Sequence, residues 1–239
     1  FGGSYTVWGA AIVFFQATLL LGYLYSHFVI QKFGIERYRR FHIGLVLLTL
    51  LFFPGRPLPA IAPVEHLPMV LNIFWQLSRT IGVAFFLLST TSIIFQSWLA
   101  ASELPEKKDP YSLYGVSNLG SFAALLTYPF LFEMSFDLGV QLGIWRFFYI
   151  ILVVLHIVAL RSVKVAPVTE EVRPVETAPL KMKLRWLALG AAGVIMFLSI
   201  TNTITYEIAP IPLLWIVPLS IYLLSFVLNF KRKPWCPAW

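Results

Sequence analysis

YSLYGVSNLGSFAALLTYPFLF, residues Tyr111–Phe132, runs for 22 residues without an Asp, Glu, Lys or Arg. At 1.5 Å per residue a helix of that length covers about 33 Å, enough to cross the roughly 30 Å hydrocarbon core of a bilayer. Tyr114, Asn118 and Ser121 fall at i, i+4 and i+7 and share one helical face, with Gly115 and Ser117 beside them. Amides and hydroxyls at such depth must find partners, so this face either packs against another helix or lines a solute path. Six further apolar windows lie at residues 4–30, 41–53, 81–101, 138–160, 184–205 and 211–230, the short second one being expected to recruit part of Glu36–Arg40 through snorkelling side chains. The expected fold class is all-α, a polytopic integral membrane helical bundle of about seven transmembrane helices.

Composition agrees with that reading. Of the 239 residues, 59% are hydrophobic and 12% charged, and mean hydropathy is +0.79, whereas a soluble domain carries roughly a quarter charged residues. A sizeable soluble catalytic domain is therefore excluded from this chain. The formal charge of +7 does not point to nucleic acid, because the cations sit in short loops beside apolar spans. Alternation of seven spans gathers 15 of the 18 Lys and Arg on one side, leaving Arg56, Arg79 and Arg146 elsewhere. By the positive-inside rule that side is cytoplasmic, which places Phe1 outside and Trp239 inside. Tryptophans near several span ends fit an interfacial aromatic belt.

The stretch PGRPLPAIAPVEHLP, Pro54–Pro68, reads as an extended external loop. VAPVTEEVRPVETAP, Val165–Pro179, is the linker-like segment. The expected organisation is a membrane domain of five spans over residues 1–162, a cytoplasmic linker over 163–183, and two final spans over 184–239. No internal repeat at fixed spacing is found, which weighs against an inverted-repeat transporter.

Four stretches in order carry a resemblance: FGGSYTVWGAAIVFFQATLLLGYLYSH (Phe1–His27), FFLLSTTSIIFQSWLA (Phe85–Ala100), DPYSLYGVSNLGSFAALLTYPFLFE (Asp109–Glu133) and NTITYEIAPIPLLWIVPLSIYLLSFVLNF (Asn202–Phe230). Together they resemble the membrane region of the bacterial fused MFS/spermidine synthase, or spermidine synthase-like membrane protein, family across nearly the whole chain. In that family a spanning helix precedes the GGS…VW motif, and a soluble aminopropyltransferase-like Rossmann domain follows the membrane region. The resemblance implies a membrane module in a bacterial cytoplasmic membrane, with any enzymatic half beyond Trp239. This chain has no Gly-rich strand–turn–helix with a downstream acidic residue, so no cofactor is expected in it.

Candidate residues beyond the opening face are few. Ser89, Ser92 and Gln96 fall at i, i+3 and i+7 of the third span and are expected to form a polar seam facing the next helix, with Tyr114, Asn118 and Ser121 opposite. Helix packing is preferred over a solute path for all six. Arg146 inside the fifth span is expected to pair with Glu133 or Asp137, and Glu207 beside Pro210 and Pro212 to anchor a helix end at the interface. His27, His42 and His156 fall near cytoplasmic span ends, where a bis-histidine haem is geometrically conceivable. No two of them stand at i, i+4, and no metal site is expected. The single cysteine, Cys236, precludes an intrachain disulfide. No nucleophile, base and acid set, G-x-S-x-G elbow or H-E-x-x-H occurs, so no catalytic residue is expected.

The functional expectation is a non-enzymatic membrane anchor, scaffold or accessory subunit, partnered by the bilayer and by other membrane subunits or its own soluble domain. The alternatives are a transporter of a small or amphipathic solute, and the membrane part of an aminopropyltransferase-like enzyme.

Overall fold

The computed structural model describes residues 5–51, 64, 66–162, 178–207 and 212–230. Most of the expected external loop and the core of the expected linker lie outside the described residues, as do Lys231, Arg232, Lys233 and Cys236. The described residues are helical, with no strand among them. Five helices are long and apolar enough to cross a membrane, and a shorter apolar helix follows. They are α1 (Tyr5–Leu51), α2 (Met69–Ala101), α3 (Ser112–Ser135), α4 (Leu138–Ser162), α5 (Leu180–Glu207) and α6 (Pro212–Phe230).

α1 is two helical arms joined at Gly34, where φ is 75° and ψ 167°. In one straight helix Ser26 and Tyr38 would stand about 18 Å apart along the axis. Instead their hydroxyls share a hydrogen bond of 2.8 Å, and the Tyr25 and Tyr38 rings meet at 5.9 Å. The chain therefore reverses at Gly34, and arms 5–33 and 35–51 form a hairpin. Only glycine adopts that backbone conformation without strain. The basic segment around Arg37, expected to be a loop, is helical up to a one-residue turn.

α2 and α3 each contain one π-turn, Ser78–Gly82 and Tyr128–Phe132. Pro129 falls in the second and has no N–H to continue the ladder. Threonines bond carbonyls at both places: Thr80 Oγ1 donates to the Gln76 carbonyl at 2.8 Å, and Thr127 Oγ1 to that of Ala123 at 2.9 Å. Before α2, the buried Asn72 holds the entering chain, with its amide donating to the carbonyls of Leu67 (2.9 Å) and Val64 (3.2 Å). Its Oδ1 accepts from the Val64 amide at 2.8 Å. Asn72→Leu removes these three hydrogen bonds to part-buried backbone groups and is expected to lower stability by about 1–3 kcal/mol. Thermal unfolding in detergent measures it, and an unchanged midpoint would show that the clamp carries no stability.

The chain divides into two compact units, one of Phe1–Pro110 with Asp137–Val165, the other of Tyr111–Phe136 with Ala166–Trp239. In the first, α1, α2 and α4 enclose two apolar clusters. Val46, Ala84, Leu87, Tyr149 and Val153 form one; Tyr38, Ile94, Trp98 and Leu160 form the other. In the second, the start of α3 packs on the end of α6, with the Tyr114 ring 5.0 Å from that of Phe230, and α5 lies against α6 through Phe197 and Tyr222 at 5.4 Å.

Candidate functional site: a polar layer at His42 and His156

The second arm of α1 meets α4 in antiparallel register. Arg39 Nη1 donates to the Leu160 carbonyl at 3.4 Å, and Arg39 also pairs with Glu36 at 3.1 Å. One turn on, the imidazoles of His42 and His156 face each other with ring centres 5.4 Å apart and planes inclined by 35°. Val46 then meets Val153, and Thr49 faces the Tyr149 hydroxyl. The contacting positions are 39, 42, 46 and 49 on one helix and 149, 153, 156 and 160 on the other. Alternating steps of three and four residues are the signature of knobs-into-holes packing. His42 and His156 thus form one polar layer inside an otherwise apolar seam.

Both histidines are buried, at 0% and 1% exposure. None of their four ring nitrogens has a hydrogen-bond partner among the described residues. The Leu152 carbonyl, one turn back from His156, lies near it without forming a well-directed bond. The walls are aromatic: Phe95 stands 4.7 Å from His156 and Tyr38 5.6 Å from His42. Trp98 is buried in the adjacent cluster, with its Nε1 lacking a partner among the described residues. A macrocycle would need the space between the two imidazoles that these side chains fill, so a haem sandwiched by this pair does not fit. Among the described residues no group of three or more His, Cys, Asp or Glu converges.

The residues singled out in the sequence fall in several places. Ser89 is buried on α2, donates to the Phe86 carbonyl at 2.7 Å, and lies against Gly22 of α1. A Cβ at Gly22 would overlap Ser89 Oγ and come within 2.8 Å of Ser89 Cβ, so these small residues allow two helices to approach closely. Ser92 and Gln96 are half-buried on the same helix. Tyr114, Asn118 and Ser121 belong to the other unit. There Tyr114 packs on Phe226 and Phe230, the Asn118 amide donates to the Tyr114 carbonyl at 2.7 Å, and exposed Ser121 donates to the Ser117 carbonyl at 3.2 Å. The two halves of the expected seam thus make these contacts within separate units. Arg146 is half-buried on α4 and forms no ion pair with Asp137; Glu133 belongs to the other unit. Glu207 is exposed at the last position of α5.

A cleft of about 430 Å³ opens between α5 and α6, lined by Gly193, Phe197, Ile200, Pro218, Tyr222 and Ser225 among others. Its walls are almost wholly apolar and include none of the eight candidate residues. Asn72, His42 and His156 had no signal in the spacing of residues within any one helix. The heptad-like steps on two separate helices were the signal available for the histidines.

This architecture, all-helical with five helices of membrane-crossing length and composition, is compatible with a membrane protein. Comparison with known protein families, characterised proteins and solved structures finds no match.

Proposed function

We propose that the chain is a non-enzymatic module of a bacterial cytoplasmic membrane that works through its outer surfaces, as an anchor, scaffold or accessory subunit of a larger membrane assembly. The observation that carries this reading is the sparse packing of the second unit. In α3 and α5 only 6% of the most apolar window is buried, against 33% in α2. Leu187, Leu189, Ile195 and Met196 of α5 are each more than 60% exposed. Such faces are suited to other helices or lipid tails, and helix association in a membrane relies on packing of this kind.

The polar groups favour the same reading. Thr18, Thr49, Ser89, Thr90, Asn118 and Thr201 each donate to a carbonyl of their own helix three or four residues back. Groups satisfied in this way do not present a continuous solute path. If the arms of α1 cross separately and α6 crosses as well, the helices amount to seven crossings, with the basic ends of the first unit's helices on the cytoplasmic side.

A photo-crosslinking residue placed at Leu187 or Ile195 in native membranes tests the proposal. The expected product is a discrete adduct with one membrane subunit at both positions. Adducts with lipid alone at both would leave the accessory-subunit reading without support.

A further inference from the structure

The cleft between α5 and α6 is too narrow for most of what could fill it. From Gly193 to Ile204, eleven residues on, it follows α5 for about 16 Å, close to half the thickness of a hydrocarbon core. A helix about 10 Å across and of that length fills about 1,200 Å³, nearly three times the volume of about 430 Å³ present. A methylene takes up about as much space as a water molecule, about 30 Å³, so the cleft holds about fourteen, the greater part of one acyl chain. Gly193 opens the space, since an ideal Cβ there has no atom within 4 Å. The hydroxyl in the wall is already engaged: Ser225 Oγ donates to the Tyr222 carbonyl at 2.6 Å.

Toward the start of α5 the helix becomes basic. Lys181, Lys183 and Arg185 are all exposed there, and α5 carries no acidic residue before Glu207 at its far end. At about 100° per residue, Met182, Trp186, Gly193 and Ile200 fall on one stripe. Lys183 and Arg185 stand about 80° to either side of that stripe, about 12 to 15 Å before Gly193. Trp186, 54% exposed, lies between them, as an indole at the headgroup level does. We infer that the α5–α6 cleft binds one anionic phospholipid, whose acyl chain enters the cleft at Gly193 and whose phosphate is held by Lys183 and Arg185 beside Trp186. Two cations around one phosphate supply the charge complementarity, and the guanidinium can grip two of its oxygens. The glycerol and first methylenes cover the interval between the cations and Gly193. The inference rests on the membrane reading and not on a protein partner. Leu187 and Ile195, whose crosslinking tests for that partner, lie about 120° or more around α5 from Gly193, so the two readings fail separately.

Native mass spectrometry of the whole chain, released from micelles doped with phosphatidylglycerol or with phosphatidylcholine of the same acyl chains, counts the lipid retained. One phosphatidylglycerol per chain is expected, in preference to phosphatidylcholine. Each basic residue beside an anionic lipid contributes about fivefold, so Lys183→Gln with Arg185→Gln should reduce that preference about 25-fold. Lys107→Gln with Lys108→Gln, in the first unit, should leave it unchanged. Gly193→Leu favours helix and meets no neighbour, and should end retention by closing the cleft where the chain enters. Should a variant misfold, phosphatidylglycerol with a photoreactive acyl terminus decides the matter on the parent chain, where it should label the α5–α6 cleft. No preference for phosphatidylglycerol, a preference that survives both the charge and the glycine variants, or labelling spread evenly over α1 to α6 overturns the inference. A crosslinker at Ile200 that captures a membrane subunit in place of lipid does the same.

Discussion

Gly34→Ala is expected to destabilise the protein by about 1–3 kcal/mol, although the new methyl group touches nothing. An ideal Cβ at Gly34 has no atom within 4 Å, so the cost is wholly conformational: φ 75° with ψ 167° belongs to a region that only glycine occupies freely. Alanine also favours helix by roughly 1 kcal/mol over glycine, which promotes the competing straight conformation. A straight 47-residue α1 would be about 70 Å long, more than twice the hydrocarbon thickness. Straightening would separate Tyr38 from Ser26 and withdraw His42 from His156. The expected result is a lower unfolding midpoint in detergent. An unchanged midpoint would mean that the reversal does not depend on this glycine.

Gly22→Leu should have an effect of similar or larger size for the opposite reason. Gly22 has no unusual backbone angle, but its Cα faces Ser89 so closely that any side chain collides with it. Overpacking of a well-filled interface typically costs about 1–3 kcal/mol, and a leucine must displace α1 from α2 altogether. Ser89→Gly tests the cause. In a Gly22→Ala background it removes the two nearest atoms, leaving the Ser89 backbone carbon at 3.3 Å, so the double variant should recover most of the loss. Additive losses in that cycle would place the damage elsewhere. The same displacement would disturb the contacts of Phe15 with Phe85 (4.8 Å) and Tyr25 with Phe86 (5.5 Å) along this interface.

The two glycines also show what the sequence could and could not convey. Hydropathy located at least part of each of the six apolar helices, because length and apolar content are properties of one segment. It placed a loop between the first two windows, with part of Glu36–Arg40 drawn into the second span through long basic side chains that reach water. The helix extends further still, and the single glycine at 34 makes the turn. Likewise, the third window began at Ile81, whereas α2 begins twelve residues earlier, beyond a π-turn whose carbonyls Thr80 helps to satisfy.

Periodicity identified Ser89 as part of a polar face but could not say which helix covers it. The next helix in sequence was the natural choice, and Gly22, far upstream, is the contact. His42 and His156 stood out as span-end residues, but their direct meeting was hidden for a related reason. A search for i, i+4 ligands looks along one helix, while His42 and His156 meet only once the antiparallel register of α1 and α4 is set. Arg39 with Leu160, Val46 with Val153, and Thr49 with Tyr149 set that register, and none of these pairs is adjacent in sequence.

Gentle extraction from native membranes followed by intact-complex mass spectrometry tests the proposal that this chain works through its exposed helix faces as part of a larger membrane assembly. The expected product is a particle in which this chain is joined in fixed stoichiometry to other membrane subunits. Recovery of the chain as a solitary monomer, active in moving a solute when reconstituted into vesicles, would contradict it.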